Sequence, residues 1–584
     1  MKTLLANKHF LLLLLICVLT ILPFLGMTEY HTKGEPRESI VSYTMLTGDN
    51  WTLPRNNGGE MAYKPPFFHW CVAAVSALNG AVTEASSRLP SALALILMTL
   101  WGFVFYARRT HSSLALTAAL VTLTSFELHR AGGNCRVDMV LTALIVCALY
   151  ALFRWYEKGM KGIPWIAVLL MGMGTMTKGP IGSILPCLGI GLFMLLRKQP
   201  FWRTFLKLCG FGLLSLLLYG AWFYVAWQQG GDEFLSLMYD ENIGRMTGTM
   251  SYPAHDFHWT FNILTVILGY IPWTLLPLIA LFFVKWKGKA GTAPSGCGEG
   301  KTACVVGALR GWWQKLLQLP DVEFFSLVNL VSIFVFYCIP SSKRSVYLMP
   351  IYPFIGYFLA KWILWMASQR PKILRAYASL LAVLTALLFV VFIIVKMQLI
   401  PESIFGSGRH AEANVQMLHA LEQIGGFGSW CLVLLPTVAG MAWWTMGRRV
   451  QQGTPLVTAI LALVFCLYIS LDGLYTPTVV NTKSLKTISA EIDRVAPASQ
   501  GRLYEYIEEG VKAKGDPLHF FEVNFYLHDR IGSFYHEKPQ SGFLLISLRD
   551  MESNSAVFAR QGYRFEPVYQ ASKRGLMVYR FSRQ

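Results

Sequence analysis

Apolar runs too long and too numerous for a water-soluble core set the first constraint on this chain. Thirteen of them lie near residues 10–25, 90–107, 113–129, 138–154, 164–177, 180–196, 205–227, 261–284, 324–340, 346–366, 376–396, 428–446 and 456–474. Each approaches or exceeds the length needed to cross ~30 Å of hydrocarbon. Inside lipid a backbone N–H or C=O finds no water, so such a segment must close its hydrogen bonds within itself as an α-helix. The predicted fold is an α-helical polytopic membrane protein with about 13 transmembrane helices. Composition agrees: 14% of residues are charged, against about 25% in soluble domains. The first run follows Lys2 and Lys8. It reads as an uncleaved helix, because the A-x-A cleavage pattern is missing near Gly26 and many spans follow. Segment 67–82 is less apolar and reads as interfacial.

Charge in the loops tests this count. With the N-terminus in the cytoplasm and alternating crossings, the cytoplasmic loops hold Arg108 and Arg109; Arg154, Lys158 and Lys161; Arg197, Lys198 and Arg203; Lys285 to Lys315; Arg370, Lys372 and Arg375; and Arg448 and Arg449. All are basic, as the positive-inside rule requires. The net charge of +18 is thus a topology signal and a preference for anionic membrane lipids, and no nucleic-acid partner is expected. The 11 cysteines sit mostly inside apolar runs, which argues against a disulfide framework. Cys297 and Cys304 flank a Gly-rich loop without metal-ligand partners. Residues 480–584 differ from the rest. They are polar, with a helix-like start at Ser484–Val495 and β-like runs at Phe543–Ser547 and Leu576–Phe581, and read as a small C-terminal α/β domain outside the membrane. Residues 1–479 form the membrane domain. The tail aromatics Phe520, Phe521, Phe525, Tyr526, Phe534 and Tyr535 are expected in its core.

The densest polar chemistry lies in the first outer loop, residues 27–89. It carries the acid–base cluster Lys33, Glu35, Arg37 and Glu38, turns at Gly48–Asp49 and Asn56–Gly59, and the stiff Tyr63-Lys64-Pro65-Pro66. Basic residues in other outer loops break the inside rule: Arg130, Arg136, Lys178, Lys343 and Arg344. Together they predict an anionic ligand, with phosphate the natural choice for Lys and Arg donors. Asp138 opens a span directly after Arg136, and an ionisable group at that depth faces the protein interior or a cavity. Glu84 and Arg88 have the spacing of an i,i+4 pair. His255 and His258 follow Asp240, Glu241 and Arg245, which fits either a metal or a hydrogen-bonding role.

These motifs resemble the C-type glycosyltransferases that use polyprenyl-phosphate sugars, in particular the lipid A aminoarabinose transferases and the related protein O-mannosyltransferase-like family. The resemblance covers about residues 1–365. Gly34-Glu35-Pro36-Arg37-Glu38 matches the Asp-Glu-x-Arg segment of the first outer loop. Thr47-Gly48-Asp49-Asn50-Trp51, Tyr63-Lys64-Pro65-Pro66-Phe67, Arg88-Leu89-Pro90-Ser91, Arg136-Val137-Asp138 and Thr177-Lys178-Gly179-Pro180 follow in register. Glu241-Asn242-Ile243-Gly244-Arg245 with His255, and Ser341-Ser342-Lys343-Arg344 with Tyr347 and Pro350, complete the set. Two departures stand out. Gly34 replaces the family's aspartate, and Tyr63 replaces an acid that in the aminoarabinose transferases is associated, with the loop histidine, with a metal. The resemblance thus implies a divalent metal at His255 while removing one of its partners.

What the resemblance implies is sugar transfer from an undecaprenyl (polyprenyl) phosphate donor, at the periplasmic face of a bacterial inner membrane. The acceptor is lipid A or another envelope glycolipid, and the displacement inverts the anomeric centre. Arg37, Lys64, Lys343 and Tyr347 are assigned to the lipid phosphate, with Lys178 and Arg344 beside them. Glu35 is the first choice for acid–base or sugar-orienting work, and Asp138 the second. A protein Ser/Thr acceptor is the alternative. A polyprenyl-lipid transporter, or an inactive lipid-binding relative, is the reading from another class.

Overall fold

The computed structural model describes residues 7–244, 247, 257–283, 310–311, 313–340, 342–408, 410–447, 449–450, 452–507 and 519–584. Arg245, His255, Cys297, Cys304 and most of the predicted cytoplasmic loop 285–322 lie outside them. All thirteen predicted runs fall on helix. Among the described residues, eight helices are long and apolar enough to cross a membrane: Glu84–Ala107, Val137–Glu157, Phe201–Gly244, Asp321–Cys338, Ser345–Gln369, Pro371–Lys396, Phe427–Met446 and Thr454–Asn481. The other five runs are short or broken. Trp165–Lys178 has 14 residues and Ile181–Leu196 has 16, about 21–24 Å at 1.5 Å per residue. The predicted run 261–284 splits into Thr260–Gly269 and Leu275–Phe282. The run 113–129 ends its first helix at Leu123, and the freed Phe126 N–H donates to the Ile271 carbonyl (3.0 Å).

Burial orders the bundle. The apolar window of Val137–Glu157 is 89% buried, against 22% for Phe201–Gly244. A helix apolar on all sides belongs in the interior, and Val137–Glu157 is the central one. Exposed Leu213, Leu217 and Leu218, with Leu387, Val390 and Val391 on Pro371–Lys396, give peripheral helices an apolar outer face. Gly179 adopts a left-handed φ of 82° between Trp165–Lys178 and Ile181–Leu196. The two helices meet at Gly174 and Gly182, where a Cβ on Gly174 would stand 3.2 Å from the Gly182 Cα. This tight hairpin presents Lys178.

The first outer loop is built around a helix, Gly34–Gly48, which the turn-rich sequence did not predict. It ends at Asp49 in the left-handed region (φ 55°). Its buried side includes Glu35, Glu38, Ser39 and Ser42, so polar anchors as well as apolar contacts hold it. The turn at Asn56–Gly59 closes a short hairpin of β1 (Arg55–Asn56) and β2 (Glu60–Met61), with positive φ at Asn57, Gly58 and Gly59. Segment 67–82 forms the helix Phe67–Asn79, which Gly80 ends.

The tail folds as a five-stranded mixed sheet with helices. Strands β3 (Leu503–Glu505), β4 (Gly532–Ser533), β5 (Ser541–Ser547), β6 (Tyr563–Gln570) and β7 (Leu576–Arg583) take the order β4-β3-β5-β7-β6. β3 is parallel to β4 and β5, and β7 is antiparallel to β5 and β6. Phe534 is buried in the tail's own core, as expected, whereas Phe521 and Phe525 are buried outside it. The tail docks on the first loop. Phe521 and Phe525 pack on Tyr30 and Ile40, and the Asn57 N–H donates to Asp529 (2.8 Å). His519 bridges Glu60 of β2 (2.6 Å) and Glu505 of β3. Glu84 accepts from Tyr526 (2.9 Å) and faces Lys486 (3.4 Å). The expected Glu84–Arg88 pair does not form, because both side chains have partners across the tertiary fold.

Burial alone would drive the His519 imidazole toward its neutral form. Hydrogen bonds to Glu505 and Glu60 outweigh it and push the pKa up to about 10. A raised folded-state pKa adds stability that is complete below the ordinary value of about 6.5 and is lost as pH rises through the folded value. The tail is therefore expected to loosen from the first loop between pH 6.5 and 10, read as rising hydrogen exchange at residues 55–61. His519→Gln should flatten that dependence.

Candidate active site

Glu38 is the centre of the site. One turn into the helix Gly34–Gly48, its Oε1 accepts from Lys64 Nζ (2.5 Å) and Arg37 Nη2 (3.0 Å), and its Oε2 meets His69 Nε2 (2.9 Å). Each partner comes from a different piece of chain. Arg37 is the neighbouring residue, Lys64 sits in the stretch that Pro65 and Pro66 stiffen, and His69 lies in the helix that follows. Glu38 and His69 are buried, while Lys64 keeps 27% of its side chain exposed and Arg37 keeps 42%. The carboxylate thus holds two partly exposed cations. Burial would raise the Glu38 pKa, but Lys64, His69 and Arg37 hold it well below the ordinary carboxylate range. Burial and the Arg37 charge push Lys64 down to about 8, against the pull of Glu38 and Glu241.

A second cation–carboxylate unit lies beside the first. Asp138 stands in the first turn of Val137–Glu157 and is ion-paired with Lys178, the last residue of its helix. The Lys178 ammonium lies 4.6 Å from the centroid of the Tyr347 ring, a cation–π contact, and Tyr347 stacks on Tyr337 (5.5 Å). The charges of Lys64 and Arg136 also reach Asp138. Tyr63 donates to Glu241 (2.9 Å), whose charge acts on Arg37 and Lys64. A Cβ at Gly179 would stand 3.1 Å from the Asn242 Oδ1, so the Lys178 hairpin and the Glu241–Asn242 segment share this corner. The arrangement brings together Arg37, Lys64, Asp138, Lys178 and Tyr347 of the predicted set.

The remaining predicted residues make other contacts. Glu35, 4% exposed, receives both Arg88 Nε (2.8 Å) and Nη2 (3.2 Å), and the Cys135 N–H (2.9 Å). These partners differ from those of Glu38 and tie the first-loop helix to its neighbours. Lys343 is buried and donates to the Pro340 carbonyl (2.7 Å). Arg344 precedes the turn Ser345–Ile351 in extended conformation. His255 lies outside the described residues, and His258 is exposed beside the Thr260 hydroxyl (3.1 Å). Among the described residues no group of three or more His, Cys, Asp or Glu is arranged to hold a metal. Sequence reasoning did not find the contacts that join Glu38 to Lys64 and His69. The available signal was the i,i+3 spacing of Glu35 and Glu38, which puts both acids on one face once the segment is helical.

Residues 63–224, which include Lys64, Asp138 and Lys178, match the family described as dolichyl-phosphate-mannose-protein mannosyltransferase. An uncharacterised protein of Aquifex aeolicus is 26% identical over 61% of this chain and 64% of its own length. The undecaprenyl phosphate-alpha-4-amino-4-deoxy-L-arabinose arabinosyl transferase 2 of Proteus mirabilis is 25% identical over 60% of this chain and 59% of its own. The chain is related to polyprenyl-phosphate-sugar glycosyltransferases. Its alignment spans less than two thirds of either relative's length. The crystal structure of ArnT from Cupriavidus metallidurans bound to undecaprenyl phosphate superposes with a TM-score of 0.68 at 16% identity, over 98% of this chain and 97% of that one. The fold is therefore the C-type glycosyltransferase fold that the motifs implied.

Removing one member of a buried ion pair costs about 3–5 kcal/mol, because the other charge is left unpaired. Arg88→Ala should lower the thermal unfolding midpoint in detergent sharply, while Arg37→Ala, at the exposed edge, should change it little.

Proposed function

We propose that this protein transfers a sugar from an undecaprenyl phosphate donor to lipid A or a related envelope glycolipid, at the periplasmic face of the bacterial inner membrane. The observation that carries the reading is the joint cluster of Arg37, Lys64 and Lys178, held by Glu38 and Asp138 on the fold of ArnT. The basic loops on the opposite side support a cytoplasmic N-terminus and a periplasmic tail.

A sugar on a lipid phosphate is activated already, so catalysis rests on stabilising the leaving phosphate and on orientation. Arg37 and Lys64 supply charge-assisted donors where negative charge grows as the anomeric C–O bond breaks. Lys178 adds a third cation, and Tyr347 fixes its direction through the ring face. Glu38 and Asp138 act as positioning residues that keep these cations close without a ligand. A single in-line displacement inverts the anomeric carbon.

The reading is tested with purified protein in liposomes, undecaprenyl phosphate carrying aminoarabinose or a hexose, and lipid A as acceptor. Wild type is expected to transfer sugar, and Lys64→Ala to lower kcat/KM by about 10²–10³-fold, the loss typical of one preorganised transition-state donor. Lipid binding without transfer from any donor would refute it.

Lys64 also predicts a pH dependence of undecaprenyl phosphate affinity. The phosphate gains its second charge near pH 6, and Lys64 loses its own from about 8. Affinity should therefore rise from pH 6 to 7 and fall above 8. Lys64→Arg should remove the alkaline fall, since guanidinium stays charged past about pH 12. Titration of the binding constant between pH 5.5 and 9.5, a range set by those two ionisations, provides the check.

A further inference from the structure

We propose that Arg136, lying over Gly34, binds the ionised acceptor of the reaction inferred above, and that this site is built for a nucleophile carrying its own negative charge. The inference rests on that reading of the function.

Space is the first argument. Gly34 opens the first-loop helix, and a Cβ at that position would stand 1.8 Å from Arg136 Nη1 and 2.9 Å from Cζ. The guanidinium fills the volume that any side chain at 34 would need. A side chain at 34 would meet the guanidinium end of Arg136, which would have to shift to make room.

Charge is the second. Five cations of this region have a carboxylate: Arg37 and Lys64 share Glu38, Lys178 takes Asp138, Arg88 takes Glu35 and Arg130 takes Glu127. Among the described residues, no carboxylate is ion-paired with Arg136. Its charge reaches Asp138, but that acid is already engaged by Lys178. The side chain is half-buried, and its backbone is fixed at both ends, with N–H to the Asn134 carbonyl (3.0 Å) and C=O from the Ser91 hydroxyl (3.3 Å). A partly desolvated guanidinium without an acid, next to the donor-phosphate cations, is an anion site, and its planar fork suits phosphate.

The acids supply the third argument. Glu35, Glu38 and Asp138 are each occupied by cationic donors, so a neutral hydroxyl finds no ready base among them. An ionised phosphate needs none. Its oxygen attacks the anomeric carbon and forms the new C–O bond, while the bond from that carbon to the polyprenyl phosphate oxygen breaks. The acceptor monoester dianion becomes a diester monoanion, and the donor diester monoanion leaves as a monoester dianion. Net charge is equal on both sides and no proton moves. What the step requires is a cation to hold the incoming dianion against the leaving one, and Arg136 provides it.

Steady-state transfer by the full-length protein in liposomes, with donor and acceptor varied separately, tests this. Arg136→Gln is expected to raise the acceptor KM by about 10–100-fold, the loss of one charged contact, and to leave the donor KM within about twofold. Arg136→Lys should recover part of the loss. Gly34→Asp, which sets a carboxylate against the guanidinium, should raise the acceptor KM in the same way while unfolding at the wild-type temperature. Equal rises in both KM values, or a fall in kcat with the acceptor KM unchanged, would overturn the proposal. Should wild type transfer no sugar, the function itself fails, and the anion site is then judged by binding. Dodecyl phosphate that binds beside saturating undecaprenyl phosphate, and is weakened at least about tenfold by Arg136→Gln, supports the site. Binding that ignores the substitution refutes it.

Discussion

The rest of the structure hangs on the buried pair of Glu35 and Arg88. Arg88 is 1% exposed. It gives two hydrogen bonds to Glu35, one to the Leu25 carbonyl (2.8 Å), and two to Thr28, at its carbonyl (2.6 Å) and its hydroxyl (2.9 Å). Tyr30 covers it from 5.2 Å. Glu35 also accepts from the Cys135 N–H. One guanidinium therefore ties together the end of the first membrane helix, the first-loop helix, the helix Glu84–Ala107 and the approach to Val137–Glu157. A charge buried this deeply is tolerable only if its donors and acceptors are satisfied, and here they are. With Glu35 fixed, Glu38 one turn later is fixed as well, and Arg37 is directed toward the open side.

Below that anchor the site solves a problem of like charges. Arg37 and Lys64 would repel each other in the absence of ligand, and a lone buried lysine would shed its proton. A shared carboxylate removes most of the repulsion, yet Lys64 still titrates near 8, so its charge is held only moderately. The Asp138–Lys178 unit repeats the device with an aromatic face as a third partner. In both units the carboxylate is engaged by a lysine ammonium.

The membrane helices were legible because lipid leaves the backbone one solution, and the apolar runs and basic loops are its direct consequence. Chain breaks were less legible. The interruption at Thr124–Ser125 and the split between Gly269 and Leu275 lie inside stretches whose hydropathy stays high. Side-chain partners were legible only where they are local. The Glu84–Arg88 spacing suggested a helical pair, but Arg88 pairs with Glu35 and Glu84 with Tyr526 and Lys486, more than 50 and 400 residues away in sequence. Spacing rules see one turn of helix and nothing beyond it. For the same reason the sequence did not show which acid meets Lys64: Glu35 and Glu38 were both visible, but the choice depends on the rotation of a helix whose buried side is polar.

The tail closes the structural argument. It grips the first loop at three separate places: the β1–β2 hairpin through Asn57, Glu60 and Gly58, the helix Gly34–Gly48 through Ile40 and Tyr43, and the helix Glu84–Ala107 through Glu84. Arg88 fixes that helix from the membrane side and the tail fixes it from above. Two residues of the same short segment, Glu84 and Arg88, therefore connect to opposite supports. Lys64 follows the hairpin by three residues, and its approach to Glu38 depends on where the hairpin sits. The tail, through the hairpin, thus helps set where Lys64 stands relative to Arg37.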